Sequence, residues 1–438
     1  MCFTRNTIVA ATNSLRHANS ALSPPSHILL HSTFPRFHGT ATIAPYIYIP
    51  QGPESFTTDN QYILGEAPEL NGLFMCTGMN SSGIASSGGA GKALAEWIVE
   101  GEPTQNLWPV DVRRFGPHHR NINFLRERTS ETLGLHYAMP WPGREAKTGR
   151  DLRHSPSWSR LRDAGAVFGQ NFAWERPNYF VPPCADGTPD EARRVAAAKP
   201  TFGQPGWLEI VREECVQTRD RCSLFDVTSF AKFVMDGPDA LRAMQQLCAN
   251  NVDVAPGTVV YTGMLNARGG YETDVTVTRL ADDTFFIVSP TGQATRDACW
   301  IRGQLNAPAV GSGSSGGSGG SGGSGDSGGG GGRYPHAQLR DVTNAWSVLS
   351  LMGPLARPIL GRTSMSDVSE EAFPFGTARD IDVGSAMVNA RRTTYVGEHG
   401  WELFVPSESA HHVYDSLFRA AAEMDAEGGE EGERDEHV

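Results

Sequence analysis

Several common signatures are missing from this sequence of 438 residues. It contains no run of 18 apolar residues, which argues against a membrane-spanning helix, and it contains no C-x-x-C motif. The cysteines are odd in number and widely scattered, so we expect neither a disulfide scaffold nor a zinc ribbon, and a reducing compartment fits best. The formal net charge of −12 argues against broad nucleic-acid binding. The seven cysteines are Cys2, Cys76, Cys184, Cys215, Cys222, Cys248 and Cys299.

Acidic residues are absent from the beginning of the chain, where the first is Glu54. Three arginines and many serines, threonines and alanines precede it, a composition typical of an organelle transit peptide. A misassigned gene start explains the same observation, and the strand-like YIYIP at 46–50 favours that alternative. Residues 1–51 are therefore either a transit-like or a misassigned leader, and the first alternative predicts a mitochondrial (matrix) location.

Glycine and negative charge are plentiful, but each is concentrated in one short segment. Residues 311–332 hold 14 of the 49 glycines, and residues 423–438 carry −7 of the −12 charge. A flexible tract of that length spans roughly 25 Å by random-coil scaling, so we expect a surface loop inside one domain. The acidic tail, 425–438, is typical of a solvated, disordered run.

Hydrophobic periodicity predicts mixed helices and strands. A short strand over 73–76 leads through a Gly/Ser-rich loop into a helix ending near Gly101. Further along, 241–248 and 411–424 fit helices, while 274–280 and 284–289 alternate around a turn and predict a hairpin. Strands are also expected over 342–351 and 383–391, so the second half of the chain indicates an α+β fold.

The Gly-rich loop before the first helix can cradle an anion or cofactor, because free amides at a helix N-terminus favour negative charge. It lacks the Ser/Thr after Lys92 that a phosphate-binding P-loop requires. From the residues alone, a structural turn is the commoner use of such a loop.

Residues 52–101 resemble the C-terminal end of the FAD-binding domain in dimethylglycine and sarcosine dehydrogenases. The quoted motif is GPESFTTDNQYILGEAPELNGLFMCTGMNSSGIASSGGAGKALAEWIVEG. The resemblance implies that the loop passes the flavin and that the helix N-terminus stabilises the reduced ring. The dinucleotide fingerprint of this family lies far upstream of the loop, and residues 1–51 contain none. FAD is therefore expected only if an N-terminal part is supplied. The residues implied at the flavin are Gly78, Asn80, Gly83, Ile84 and Gly88.

The following segment, 105–200, is rich in Arg, Trp and Pro and has poor periodicity, which predicts an irregular connector with short helices. Its WPVDVRRF and WERPNYF phrases resemble the central connector of the same dehydrogenases. Arg176 beside Glu175 suggests a site pair, although a solvent-facing or interdomain ion pair between them is the commoner use of such residues.

From about residue 205 the sequence resembles the folate-binding domain of the glycine-cleavage T-protein (aminomethyltransferase). The matching phrases are LFDVT, GPDA, YTGMLN, GGYETD and YVGEHGWE. By this resemblance, Tyr261, Asp274, Tyr395 and Glu402 line a tetrahydrofolate pocket.

The chemistry of those four residue types suits the ligand. A carboxylate at Glu402 can accept both N–H groups of a pterin edge, and the aromatic faces of Tyr261 and Tyr395 can pack against its plane. Asp274 can orient or protonate an amine during one-carbon transfer. The alternative for Asp274 is a hairpin-edge carboxylate that caps the turn. No histidine or cysteine spacing predicts a metal site.

These inferences combine into one organisation: a flavin-domain end at 52–104, a connector at 105–200, and a T-protein-like α+β domain at 201–424 that contains the 311–332 insertion. The resemblance implies an FAD-dependent oxidation of a small methylated amine to an iminium, with tetrahydrofolate capturing the one-carbon unit. The phrases GMNSSGIASSGGAGKALAEW and TGMLNARGGYETD also resemble a non-enzymatic branch of the family, the regulatory subunit of pyruvate dehydrogenase phosphatase. That alternative implies the phosphatase catalytic subunit as partner.

Overall fold

A computed structural model describes residues 54–184, 188–307 and 332–435, with side chains up to residue 425. The chain forms two compact units that interleave along the sequence. The first unit comprises 54–65, 74–110 and 117–136, and the second comprises the remaining described residues.

The first unit contains the strand, loop and helix that the sequence predicts. Strands β1 (Ile63–Glu66) and β2 (Phe74–Thr77) pair, and helix α1 (Gly83–Glu100) follows, ending at Gly101 with the left-handed φ of 80° that glycine tolerates. A second helix, α2 (Ile122–Leu135), begins at Asn121, whose side chain caps two backbone amides. The small core of this unit is formed by Leu64, Ala90, Ala93 and Val110.

The second unit begins with elements that the sequence did not predict individually. Helix α3 (Trp158–Asp163) precedes a hairpin of β3 (Ala166–Asn171) and β4 (Trp174–Phe180), and helices α4 (Glu191–Ala197) and α5 (Leu208–Asp220) follow. The connector is therefore more regular than its composition suggested, because one antiparallel hairpin organises it.

Two antiparallel five-stranded sheets form the body of the second unit. We call them sheet A, in the order β10-β6-β9-β8-β7, and sheet B, in the order β12-β13-β14-β11-β5. The strands of sheet A are β6 (Ala231–Asp236), β7 (Val259–Leu265), β8 (Tyr271–Ala281), β9 (Thr284–Ser289) and β10 (Gln338–Asp341). Those of sheet B are β5 (Ser223–Asp226), β11 (Trp346–Met352), β12 (Ala378–Val383), β13 (Ala386–Arg391) and β14 (Gly400–Pro406).

Four helices accompany the sheets, and each sheet has its own core. The helices are α6 (Ala240–Leu247), α7 (Ala294–Asn306), α8 (Ala356–Thr363) and α9 (Ala410–Asp435). Residues of α6 and α7 share one core with sheet A, and residues of α8 and α9 share another with sheet B. A third cluster contains residues of both sheets: Phe286, Val288, Val348 and Phe404.

The alternation along β14 explains how one strand serves both a core and a polar face. Trp401, Leu403 and Val405 belong to the core shared with α8 and α9. Because successive side chains of a strand point to opposite faces, Glu402 and Phe404 lie on the face that takes part in the cluster shared with sheet A.

The helices predicted over 241–248 and 411–424 and the hairpin at 274–289 are confirmed. Helix α9 continues to Asp435, into the segment interpreted as an acidic tail. The strand predicted over 383–391 contains all of β13 but begins too early, because Gly384, at φ 60°, turns the chain between β12 and β13. The strand expected from residue 342 begins only at Trp346, after a short 3-10 turn.

The residues that flank the Gly/Ser tract adjoin each other. The amide of Arg333 donates to the carbonyl of Ala307 at 2.8 Å, and the amide of Tyr334 donates to Leu305 at 3.2 Å. Both flanks belong to the second unit. The tract itself lies outside the described residues.

Candidate functional site

Two of the four residues predicted to bind folate are joined by a hydrogen bond on sheet A. Tyr261 on β7 donates from its hydroxyl to Oδ2 of Asp274 on β8 at 3.0 Å. The β7–β8 register pairs Asp274 with Gly263 and Tyr261 with Thr276, so the bond runs between neighbouring cross-strand positions. This hydrogen bond raises the pKa of Tyr261, which keeps its hydroxyl protonated and donating.

Tyr395 joins the group from the loop between β13 and β14. Its hydroxyl lies 3.3 Å from Oγ1 of Thr276, the cross-strand partner of Tyr261. Desolvation of its hydroxyl, followed by the negative charge of Glu402 and more weakly by that of Asp274, raises the pKa of Tyr395. Tyr395 is therefore within range of the charge of Glu402 and of Asp274, and it links the buried carboxylate to the Tyr261–Asp274 pair.

Glu402 is the buried member of the group. Its side chain is only 4% exposed, and burial raises its pKa from 4.5 to about 7, against the lowering influence of Arg391 and Lys232. Among the described residues, nothing donates a hydrogen bond to this carboxylate. A buried carboxylate without donors is costly, so the position is suited to a ligand that brings its own N–H groups.

Two buried cations near Glu402 were missed by sequence reasoning. Lys232 on β6 is fully buried, and burial lowers its pKa to about 7. Its Nζ donates to the carbonyls of Thr228 at 2.7 Å and Phe230 at 2.9 Å. A lone lysine inside the apolar phrase AKFVM was the available signal.

Arg391 is the second missed cation, and it lies directly opposite Glu402 in the β13–β14 register. It is 1% exposed, and burial lowers its pKa to about 9. Its guanidinium carbon lies 3.7 Å from the ring centre of Phe404 and 4.1 Å from that of Phe286. The pair RR at 391–392, at the end of a strand, was the only signal in the sequence.

A buried carboxylate supports the strand that carries Asp274. Asp297, in the first turn of α7, is 1% exposed and accepts hydrogen bonds from Thr273 at 2.8 Å and from Ser289 at 2.5 Å. Burial raises its pKa from 3.8 to about 6. Asp297 thus ties β8 to β9 beside Asp274, and no pattern in the sequence marked it.

Of the five residues implied at the flavin, two shape a loop and the other three lie in the helix that follows it. Asn80 is buried and accepts from the amide of Thr57 at 2.9 Å while donating to the carbonyl of Gly78 at 2.6 Å. Gly78 has φ 65°, and a Cβ there would lie 2.8 Å from the Thr57 methyl group. Gly83 begins α1, whereas Ile84 and Gly88 are exposed within it. Gly78 and Asn80 therefore shape the loop, and flavin contact stays a prediction.

The pairing suggested for Glu175 and Arg176 is wrong. Successive residues on β4 point to opposite faces, which separates the two side chains. Glu175 is 5% exposed and accepts instead from Nε of Arg150 at 2.9 Å and from the amide of Asp151 at 2.9 Å. Arg176 lies 6.0 Å from the ring centre of Phe230.

Two features are absent from the described part of the chain. Among residues 54–184, 188–307 and 332–435, no cluster of three His, Cys, Asp or Glu side chains is arranged to hold a metal ion. In the same part of the chain, no helix combines the length and apolar character needed to cross a bilayer.

Comparison with known families identifies the class of protein. Residues 157–429 match the family described as GCVT N-terminal domain, and residues 100–155 match the family described as FAD dependent oxidoreductase central domain. The first match covers more than half of the chain, so the chain belongs to the GCVT family, with the oxidoreductase central domain ahead of it. This confirms the α+β T-protein-like fold predicted from the sequence.

Three curated relatives show in which proteins this combination occurs. The chain is 36% identical over 368 residues to the mitochondrial pyruvate dehydrogenase phosphatase regulatory subunit of Mus musculus, covering 83% of this chain and 38% of the relative. It is 35% identical to the 4-methylaminobutanoate oxidase (formaldehyde-forming) of Paenarthrobacter nicotinovorans and to the mitochondrial sarcosine dehydrogenase of Homo sapiens, in both cases covering 85% of this chain and 41% of the relative.

The names of these relatives agree with the resemblance to sarcosine and dimethylglycine dehydrogenases that the sequence shows. The mitochondrial location predicted from the leader agrees with the location that the two mammalian names state. The chain spans about two fifths of the length of the curated relatives it matches.

Proposed function

We propose that this chain binds tetrahydrofolate between sheets A and B and serves the one-carbon transfer step of an FAD-dependent N-methylamine dehydrogenase. The observation that carries the proposal is Glu402, a carboxylate that is 4% exposed and has no hydrogen-bond donor among the described residues. It lies within charge range of Tyr395, which is itself within range of Asp274 and Tyr261. Two of the relatives named above act, by their names, on N-methylated amines.

The residues present fit the folate group. The two carboxylate oxygens of Glu402 would accept the ring N–H and the exocyclic amino group of a pterin in a bidentate manner. Tyr261 and Tyr395 are 64% and 61% exposed, which leaves ring surface for packing against a planar ligand. When bound, tetrahydrofolate supplies the nucleophilic nitrogens that accept a one-carbon unit.

Asp274 is the proposed proton carrier. Tyr261 holds its Oδ2 at 3.0 Å and fixes the orientation of the carboxylate, while Oδ1 accepts no side-chain hydrogen bond from the described residues. A carboxylate with one occupied and one free oxygen can take a proton from an amine and return it. The alternative for Asp274, a capping role at the turn, is disfavoured because it lies four residues after the nearest turn residue, Gly270, and bonds across the sheet.

The residues implied at the flavin all lie in the first unit. The side-chain oxygen of Asn80 accepts from the Thr57 amide and its nitrogen donates to the Gly78 carbonyl, so both are engaged. Of the residues implied at the flavin, Gly83 lies at the start of α1, whose first turn has no acidic residue. We propose that 52–104 is the end of a flavin domain, with 105–200 as connector and 201–424 as folate domain, and that oxidation needs further polypeptide.

The test is ligand-dependent stabilisation of the purified full-length chain. We expect (6S)-tetrahydrofolate, kept reduced, to raise the melting temperature of the wild type and to leave that of Glu402→Gln nearly unchanged. The matched control is Glu408→Gln, a carboxylate in the turn just after β14. No shift in the wild type at millimolar tetrahydrofolate would refute the proposal.

A second function is favoured by the 36% identity to the phosphatase regulatory subunit. In that case the chain binds the catalytic subunit of pyruvate dehydrogenase phosphatase and demethylates no amine. Co-purification from mitochondrial extract separates the two: the phosphatase recovered in stoichiometric amount, together with no formaldehyde from sarcosine or dimethylglycine, selects regulation.

A further inference from the structure

Arg391 and Glu402 form an opposed pair of buried charges that do not bond to each other. They are direct cross-strand partners, so their side chains leave the same face of sheet B. Arg391 is 1% exposed and Glu402 is 4% exposed. Among the described residues, no ion pair within 4.0 Å joins them, although each is the strongest opposite charge acting on the other.

The guanidinium of Arg391 is held rigidly but is short of acceptors. The rings of Phe286 and Phe404 lie 4.1 and 3.7 Å from its central carbon, and Nε donates to Oδ1 of Asn389 at 3.0 Å. Nη1 is buried and has no partner, and within the described chain Nη2 also makes no hydrogen bond. Stacking and one hydrogen bond therefore fix the plane, while the terminal nitrogens stay available.

Lys232 does not compete for this role. Its Nζ is anchored to the carbonyls of Thr228 and Phe230, which use two of its three donors. A ligand bound at Glu402 that carries a hydrogen-bond acceptor would therefore find free donors on Arg391 and not on Lys232.

We propose that Arg391 is the specificity-determining residue of the site and donates to the 4-oxo group of the pteridine whose N3–H and 2-amino group bind Glu402. The proposal rests on the folate-binding function above. Along one edge, a 4-oxo-pteridine presents the 4-oxo group as an acceptor and then N3–H and the 2-amino group as donors. A guanidinium next to a carboxylate complements this order of groups. A 4-amino-pteridine presents a donor where Arg391 also donates and an unprotonated N3 where Glu402 accepts, so the pair selects against it.

The test is a cycle of two ligands and two proteins. Folic acid and aminopterin share the same skeleton and oxidation state and differ in the 4-oxo or 4-amino group. Their dissociation constants are measured by calorimetry on the wild type and on Arg391→Met. We expect the substitution to weaken folic acid by about tenfold or more and aminopterin by less than about threefold.

Each outcome has a meaning. If Arg391→Met weakens both ligands equally, or neither, the specificity role is overturned while folate binding stands. If the wild type binds neither folic acid nor tetrahydrofolate, the proposed function fails and this inference with it. Should Arg391→Met not fold, Arg391→Lys keeps the cation but loses the planar fork, and the same unequal loss, of smaller size, is required.

Discussion

The hydroxyl of Tyr261 donates to Oδ2 of Asp274 across 3.0 Å, and this bond joins the two strands that carry the proposed proton carrier and its aromatic neighbour. The two side chains lie on adjacent strands of sheet A, near Tyr395 from the other side of the site. The orientation of the Asp274 carboxylate therefore depends on the Tyr261 hydroxyl, which donates a hydrogen bond and takes no proton itself.

Tyr261→Phe should weaken tetrahydrofolate binding about three- to tenfold, because the ring remains but the donor to Asp274 is lost. The free energy of unfolding should change by less than about 0.5 kcal/mol, since Tyr261 is 64% exposed. The measurements are calorimetric titration and urea unfolding. Tyr271→Phe, at a neighbouring exposed tyrosine, is the control, and equal losses in the two variants would contradict this prediction.

Folate affinity should increase as the pH rises from 6 to 8. Burial raises the pKa of Glu402 to about 7, so below that pH the group is largely a neutral acid, which offers the pterin fewer acceptors. The limiting slope is about tenfold per pH unit. Titrations at several pH values check this, with Glu402→Gln expected to bind weakly and without this dependence. A flat wild-type profile would argue against Glu402 as the ligand carboxylate.

Asp297 should make the folded protein less stable as the pH rises. Its folded pKa of about 6 lies above the unfolded value of 3.8, so its favourable contribution is complete below 3.8 and is lost as the pH rises through 6. Relative to Asp297→Asn, the wild type should lose about 2–3 kcal/mol of unfolding free energy between pH 3.5 and 7.5. Denaturant unfolding at each pH is the measurement, and a difference that grows in the opposite sense would refute it.

Glu175→Gln should destabilise the second unit by about 2–4 kcal/mol, because it leaves the partly buried Arg150 without its counter-charge. The matched control is Glu213→Gln. Glu213 is 67% exposed and its partner Arg193 is 41% exposed, so this ion pair should contribute at most about 0.5 kcal/mol to stability. Thermal and urea unfolding measure the loss of stability in both variants. Similar losses would show that burial of the Glu175–Arg150 pair does not increase its contribution to stability.

Elements with strong local signals were predictable. The period of 3.6 around Trp97 and the alternation on both sides of the 281–283 turn predicted α1 and the β8–β9 hairpin, since those patterns reflect one buried face. The first strand of the β12–β13 hairpin was missed because three charged residues, Arg379, Asp380 and Asp382, leave it few apolar positions, and only Gly384 marks the turn.

The site was predictable only as far as the family resemblance reached. Tyr261, Asp274, Tyr395 and Glu402 follow from matching phrases, whereas Arg391 and Asp297 depend on pairings between distant strands and helices. A buried arginine opposite a buried glutamate is a property of strand register. Such a property is invisible until β13 and β14 are aligned.

The hydrogen bond from Arg333 to Ala307 has a consequence for how the chain can vary in length. The two flanks already touch, so a tract that is the surface loop its composition predicts would change chiefly the entropy of loop closure with its length, by about 0.6 kcal/mol for each doubling. Neither α7 nor β10 has to move when that number changes. This position is therefore a permissive point for a reporter or affinity tag, remote in sequence from every residue proposed to hold folate.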